Sequence, residues 1–135
     1  MNNFQVIFSD GVLQRYIQSN LKDPWINTPF EGYTYLNPKQ KGNFGEQFVS
    51  KLLESNHTIE KPSNTGHDRI IDTIKSEIKF SLACKGIKDK FTINHVSKNK
   101  DWDRLIFCGI NPKEEDIRIG WFSKSMFIEY LQDPT

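Results

Sequence analysis

The stretch from Gly66 to Ser81 constrains this chain more than any other. It holds two strand-like runs, Asp68–Ile74 and Ser76–Ser81, with almost nothing between them. Runs that close fold back on each other, so a hairpin is expected. The link lacks Gly, which leaves the turn type open. Alternate side chains of a strand share a face, so Glu77 and Lys79 point one way and Ile78 and Phe80 the other. A turn near Thr73 sets Asp68 beside Ile78 or Lys79, close to Glu77, and leaves Asp72 near the turn. Asp68 is therefore the better partner for this face and Asp72 the second.

The rest of the chain supplies a frame for that hairpin. Asp10 to Leu21 carries Val12, Leu13, Tyr16 and Ile17 at helical spacing, with Asp10 as N-cap. Asp23–Pro38 mixes Pro24, Pro29, Gly32 and Pro38 with Trp25, Phe30, Tyr33 and Tyr35, and reads as an irregular arm or lid. Packing of these aromatics over the sheet is the plainer reading of that segment. A helix is expected from Asn43 to Asn56, with Phe44, Phe48, Val49, Leu52 and Leu53 on one arc. Asn43 would cap it, and Glu46 would lie in its first turn, at the rim of the apolar stripe. Lys61–Gly66 is turn-like, and Leu82 to Asn99 is lysine-rich and ambiguous. Strands are expected at Arg104–Ile110 and Asp116–Phe122, and a last helix at Ser125–Leu131, with Met126, Phe127, Tyr130 and Leu131 buried. Helix, helix, strand, strand, mixed segment, strand, strand, helix is an α/β order with a small mixed sheet flanked by helices.

Composition narrows the classes. At 135 residues the chain is one domain's worth, expected as an irregular N-terminal part (1–40) and a core (41–135). No apolar run approaches the roughly 18 residues of a membrane span, and no secretory signal is visible. Two Cys, Cys84 and Cys108, make no disulfide framework and suit reduced thiols in a cytoplasmic protein. Eighteen Lys+Arg against 17 Asp+Glu give a formal charge of +1, but the charge is uneven. Arg69–Arg104 holds nine basic and five acidic residues, net +4, whereas Leu105–Thr135 holds three and five, net −2. A basic middle points weakly to a polyanion on one face.

Two carboxylates and an ammonium on one sheet face make chemical sense around a divalent cation. Hard oxygen ligands suit magnesium, with manganese as a substitute, and magnesium takes one or two carboxylates plus substrate phosphate. Asp68 and Glu77 would be ligands, Lys79 would hold water or the developing phosphorane charge, and Glu46 could add a further carboxylate. Zinc is excluded, because His57, His67 and His95 are widely separated and the two Cys form no ligand pair. Cys108, inside an apolar strand, reads as an inert core thiol.

Gly66-x-Asp68, then Glu77-Ile78-Lys79, with Glu46 on an upstream helix, resembles the PD-(D/E)xK nuclease superfamily, the restriction-endonuclease-like fold. The resemblance spans roughly Gly42 to Tyr130. It implies a helix–strand–strand–strand–helix–strand core, with Asp68 and Glu77 as metal ligands, Lys79 activating or positioning water, and Glu46 assisting. His67 stands where the superfamily has proline. The stretches Phe91–Val96, Asp101–Phe107 and Trp121-Phe122 are similar to small phage and restriction nucleases of this group. Asn94 and His95 could read base edges, while Lys85, Lys88, Lys90, Lys98 and Lys100 would neutralise phosphates.

The expectation is therefore a magnesium-dependent endodeoxyribonuclease cutting double-stranded DNA, with a type II restriction enzyme first. A homing endonuclease or Holliday-junction resolvase of the same fold is the alternative. So small a chain is expected to act as a homodimer. A non-catalytic DNA-binding module, or a protein-interaction domain using the Trp25–Tyr35 aromatics, stands against it.

Overall fold

A computed structural model of the chain describes residues 23–83, 91 and 96–132, the last three by backbone alone. The expected helix at Asp10–Leu21 lies outside these residues, as do Cys84, Lys85, Lys88, Lys90, Asn94 and His95. The chain divides into two compact units, Met1–Leu36 and Asn37–Thr135.

In the first unit the described residues are turns and a 3-10 turn at Tyr33–Tyr35. Asp23 organises them: its carboxylate accepts from the N–H of Trp25 at 2.9 Å and of Gly32 at 2.8 Å. Those backbone bonds hold Asp23 below the usual carboxylate range.

The second unit opens with α1, Pro38–Leu53. It begins five residues before the expected start at Asn43. The cause is a capping box at Asn37: its side chain accepts from the Gln40 N–H at 2.8 Å, and the Gln40 side chain accepts from the Asn37 N–H at 3.0 Å. Pro38 then takes the first helical position, where its missing N–H costs nothing. Glu46 consequently sits in mid-helix, and the helix dipole has no part in its placement.

A five-stranded sheet follows in the order β1 (Ile59–Glu60), β2 (Arg69–Ile71), β3 (Ile74–Leu82), β4 (Arg104–Asn111) and β5 (Asp116–Ser123). The β3–β4 pair is parallel and the others are antiparallel. Helix α2, Lys124–Gln132, ends the unit. The fold is mixed α/β, a small mixed sheet with helices, as expected. Strand β1 is an addition, too short to leave a pattern in the sequence. In α2, Phe127 meets Trp102 edge-on, with ring centres 6.2 Å apart, but Met126 is exposed rather than buried.

Parallel strands buried in the middle of a sheet read as continuous apolar runs, and Leu105, Ile106, Cys108 and Ile110 of β4 are all buried. Burial pushes the Cys108 thiol up to about 11, which fits an inert core residue. Helix α1 packs on the Ile78/Phe80 face through Phe44 and Phe48, whose ring centres lie 5.7 and 5.4 Å from that of Phe80. Gly45 makes this approach possible. A Cβ there would stand 2.5 Å from the Phe80 Cβ.

Candidate active site

The hairpin closes more tightly than the sequence suggests. Ile71 pairs with Ile74, so Asp72 and Thr73 alone form the turn, with φ of 50° and 68°. Both are left-handed, as a two-residue type I′ turn requires, although neither is Gly. The register runs Ile71↔Ile74, Ile70↔Lys75, Arg69↔Ser76, and regular pairing stops there, since the Asp68 N–H also turns to the Ser76 carbonyl. The hairpin register is tighter than a turn centred on Thr73 would give, yet Asp68 sits beside Ile78 as expected, through its carboxylate.

Asp72 is occupied at the turn. Its carboxylate takes His57 Nδ1 at 2.6 Å and the Thr58 N–H at 2.9 Å, and its own N–H donates to the Thr58 carbonyl at 2.9 Å. The His57 hydrogen bond, first, and then that of Thr58 hold it below the ordinary carboxylate range. It is a clasp between β1 and the hairpin.

Asp68 lies just before β2, where the pairing of β3 with β2 ends. The Asp68 N–H donates to the Ser76 carbonyl at 3.0 Å, and its Oδ2 accepts from the Ile78 N–H at 2.7 Å. The carboxylate thus takes up a strand-edge donor that β2 has left unpaired. Glu77 and Glu46 each stand within hydrogen-bonding reach of it. Glu77 comes from β3, and Glu46 comes over the strand edge from α1. The Lys79 ammonium acts on all three carboxyl groups. The structure therefore brings together four side chains named from sequence, and Asp68 is their centre.

Two carboxyl groups share a hydrogen bond only through a proton, and the electrostatics follow from that. Burial, then the Asp68 hydrogen bond and charge, push Glu77 up to about 8, against the pull of Lys79 and Lys100. Burial and Asp68 push Glu46 up to about 7, against Arg69 and Lys79. Burial alone would raise Asp68 as well. The hydrogen bonds of Glu77, the Ile78 N–H and Glu46 outweigh it and hold Asp68 below its usual range.

The sequence reading missed two supports. Arg69 lies 3.5 Å from the Glu46 carboxylate, and its Nη1 donates to the Asp68 carbonyl at 2.7 Å. Asp101 accepts from Asn64 Nδ2 at 2.8 Å and from Lys75 Nζ at 2.9 Å, and its carbonyl accepts from His67 Nδ1 at 2.9 Å. The other ring nitrogen of His67 accepts from the Ser63 N–H at 3.1 Å, so Nδ1 carries the proton. Gly66 presses against Asp101, and a Cβ there would stand 2.7 Å from the Asp101 nitrogen. The loop that delivers Asp68 is thereby tied to the loop before β4.

Lys98 and Lys100 are exposed on the turn leading to that same loop, and the Lys100 charge is felt at Glu77. Among the described residues, no three His, Cys, Asp or Glu side chains form a group arranged to hold a metal ion. The three carboxyls form a chain through Asp68 rather than a ring around a point. Magnesium asks the protein for one or two carboxylates and draws the rest from water and phosphate. Asp68 and Glu77 meet that requirement in number, and a cation beside them would favour the ionised forms of Glu77 and Glu46 that burial and Asp68 now disfavour.

The sequence matches no protein-family model and no curated protein. In three dimensions the chain is similar to a bacterial homing endonuclease, I-Ssp6803I, at 20% identity and a TM-score of 0.48. The similarity covers 70% of this chain and 70% of that one. It concerns the course of the chain. Among the described residues no helix is long and apolar enough to cross a membrane.

Proposed function

We propose that this chain is a divalent-metal-dependent endonuclease that hydrolyses phosphodiester bonds in double-stranded DNA. The observation that carries the reading is the meeting of Asp68, Glu77 and Lys79 at the unpaired edge of β3, with Glu46 reaching in from α1. Asp68 and Glu77 would hold magnesium or manganese, which supplies Lewis-acid stabilisation of phosphoryl charge when bound. Asp68 is fixed for this role by the Ile78 N–H and by the His67–Asp101 tie.

Lys79 places a cation beside the carboxylates, where negative charge builds on the phosphoryl oxygens. Water attacks phosphorus in line, the bond from phosphorus to the 3′ oxygen breaks, the departing oxygen takes a proton from solvent to become a 3′-hydroxyl, and a 5′-phosphate remains. Glu46, raised to about 7 and held by Arg69, is in its ionised form placed to accept the proton released by that water. Lys98 and Lys100 contribute to phosphate attraction along the approach. Cutting both strands calls for two such clusters and hence two copies of the chain.

A type II restriction enzyme is the first expectation, with a homing endonuclease or a Holliday-junction resolvase as the alternative. The solved structure named above is of the second kind, so the proposal is kept to the reaction that both perform. The test is a supercoiled plasmid incubated with the protein in magnesium and in EDTA. Magnesium-dependent nicking or linearisation supports the reading. DNA bound in calcium but never cut in magnesium or manganese would make the chain a non-catalytic DNA-binding module.

A further inference from the structure

We propose that the hollow at the start of β4 is a binding site for a guanine base that has no base-pairing partner. The hollow measures about 420 Å³, and Ile74, Asp103, Arg104, Trp121 and Phe122 line it. Ligand pockets of this size combine mostly apolar walls with a few placed polar groups. Here the walls are Ile74 of β3 and Phe122 of β5, 37% and 36% exposed. They flank the start of β4 two strand spacings apart, roughly 10 Å across the sheet, a width that suits one flat ring between side chains. Trp121 is not a free face. The Arg104 guanidinium lies 4.6 Å over its ring, and the His57 ring centre is 5.3 Å away. Its part is to hold Arg104.

The polar groups are two consecutive residues of opposite character. Arg104 Nη2 donates to the Ile71 carbonyl at 2.9 Å, but Nε is buried without a partner. A buried guanidinium short of an acceptor is costly, and a carbonyl brought by a ligand relieves it. The Asp103 main chain is fixed on both sides, its N–H donating to the Lys75 carbonyl and its carbonyl accepting from the Lys124 N–H, each at 2.8 Å. Asp103 itself is exposed, and among the described residues its carboxylate makes no hydrogen bond or ion pair. Lys75, whose ammonium feels that charge, is bonded to Asp101 instead.

Guanine fits this pair of groups. Its neighbouring N1–H and N2–H both donate to a carboxylate, and its O6 and N7 accept from a guanidinium. In adenine and cytosine a ring-nitrogen lone pair flanks the amino group, and in thymine two carbonyls flank the N–H, so each sets a lone pair against the carboxylate. A guanine paired with cytosine has already spent N1–H and N2–H, so only an unpaired one qualifies. The register sets Arg104 beside Ser76, one residue from Glu77, so the hollow and the carboxylate cluster share the start of β3. The base arrives either displaced from a duplex or as a free guanine nucleotide. The first source rests on the nuclease reading and the second does not.

Arg104 is tied into the fold, so the test variant is Asp103→Asn, which keeps the side-chain shape and both main-chain bonds. The full chain is titrated with 5′-GMP and 5′-AMP, and with three duplexes in calcium: fully paired, with one bulged guanine, and with one bulged adenine. Guanine should be preferred about tenfold, within the usual worth of a bidentate base contact. Asp103→Asn should erase the preference with circular dichroism and binding of the paired duplex unchanged. A preference for bulged guanine, erased in the variant, upholds the site with DNA as its source. A preference for GMP alone, erased likewise, upholds it with the free nucleotide as its source. No preference for guanine over adenine in either form, or one that Asp103→Asn leaves intact, overturns the proposal. A chain that prefers GMP in this way but never cuts a plasmid in magnesium counts against the nuclease reading alone.

Discussion

The Asp68 carboxylate caps the backbone N–H of Ile78 at 2.7 Å, at the point where β3 loses its neighbour β2. One oxygen is thereby fixed on the strand and the carboxylate is held beside Glu77. Asp72, four residues later, performs a different task, closing the hairpin turn onto His57 and Thr58. Asp68→Asn should abolish cleavage with little change in DNA binding. Asp72→Ala should lower the melting temperature and leave cleavage of the folded protein near wild type. A greater loss of cleavage from the second variant, measured by plasmid nicking at a temperature where both are folded, would overturn the assignment.

Gly45 sets how deeply α1 lies on the sheet. Gly45→Ala forces a methyl group to within 2.5 Å of the Phe80 Cβ, and neither backbone can give easily. Overpacking of this kind costs about 1–3 kcal/mol. Urea unfolding should show that loss. Because Glu46 is the next residue, cleavage should fall as well, whereas Gly42→Ala, with open space around it, should change neither.

The raised acids give the metal-free protein a distinctive pH profile. Glu77 and Glu46 are raised to about 8 and about 7, so the stability they contribute is complete below their unfolded values and is lost as pH rises through 7 to 8. Asp68 works in the opposite sense, its contribution being lost as pH falls through its lowered value. The melting temperature in EDTA should therefore fall from pH 6 to pH 9. Glu77→Gln should flatten that fall, and magnesium should reverse it at pH 8.5 by replacing the departing protons. A melting temperature that rises across this range in EDTA would contradict the coupling.

Lys79→Met should reduce the cleavage rate on the order of 10²–10³-fold, the usual cost of removing one group that stabilises transition-state charge. Duplex binding in calcium should change little, since Lys79 sits among carboxylates rather than on an exposed face. Lys98→Ala should do the reverse, keeping the single-turnover rate while lowering the salt dependence of binding by about one unit of slope.

Much of this arrangement was legible in the residues. The alternation through Ser76–Ser81 placed Glu77 with Lys79 and apart from Ile78 and Phe80, and the apolar run at Arg104–Ile110 marked a strand, though not its parallel pairing with β3. The start of α1 was hidden because Asn37 and Pro38 end an aromatic, proline-rich stretch that resembles an arm. Only the reciprocal Asn37–Gln40 bonds reveal the cap. The register was off because Asp72 and Thr73 adopt left-handed backbone without Gly, and Thr, being branched at Cβ, rarely does so. Arg69 and Asp101 escaped notice because their partners, Glu46 and Asn64, are distant in sequence and no local pattern links them.

The central claim is that Asp68 and Glu77 share a cation. Anomalous diffraction from a crystal soaked in manganese tests it most directly, without relying on activity. The account predicts one peak between the two carboxylates, within about 2.2 Å of an oxygen of each, and its loss in Glu77→Ala. A peak at another site only, or one that persists at full height in Glu77→Ala, would contradict it.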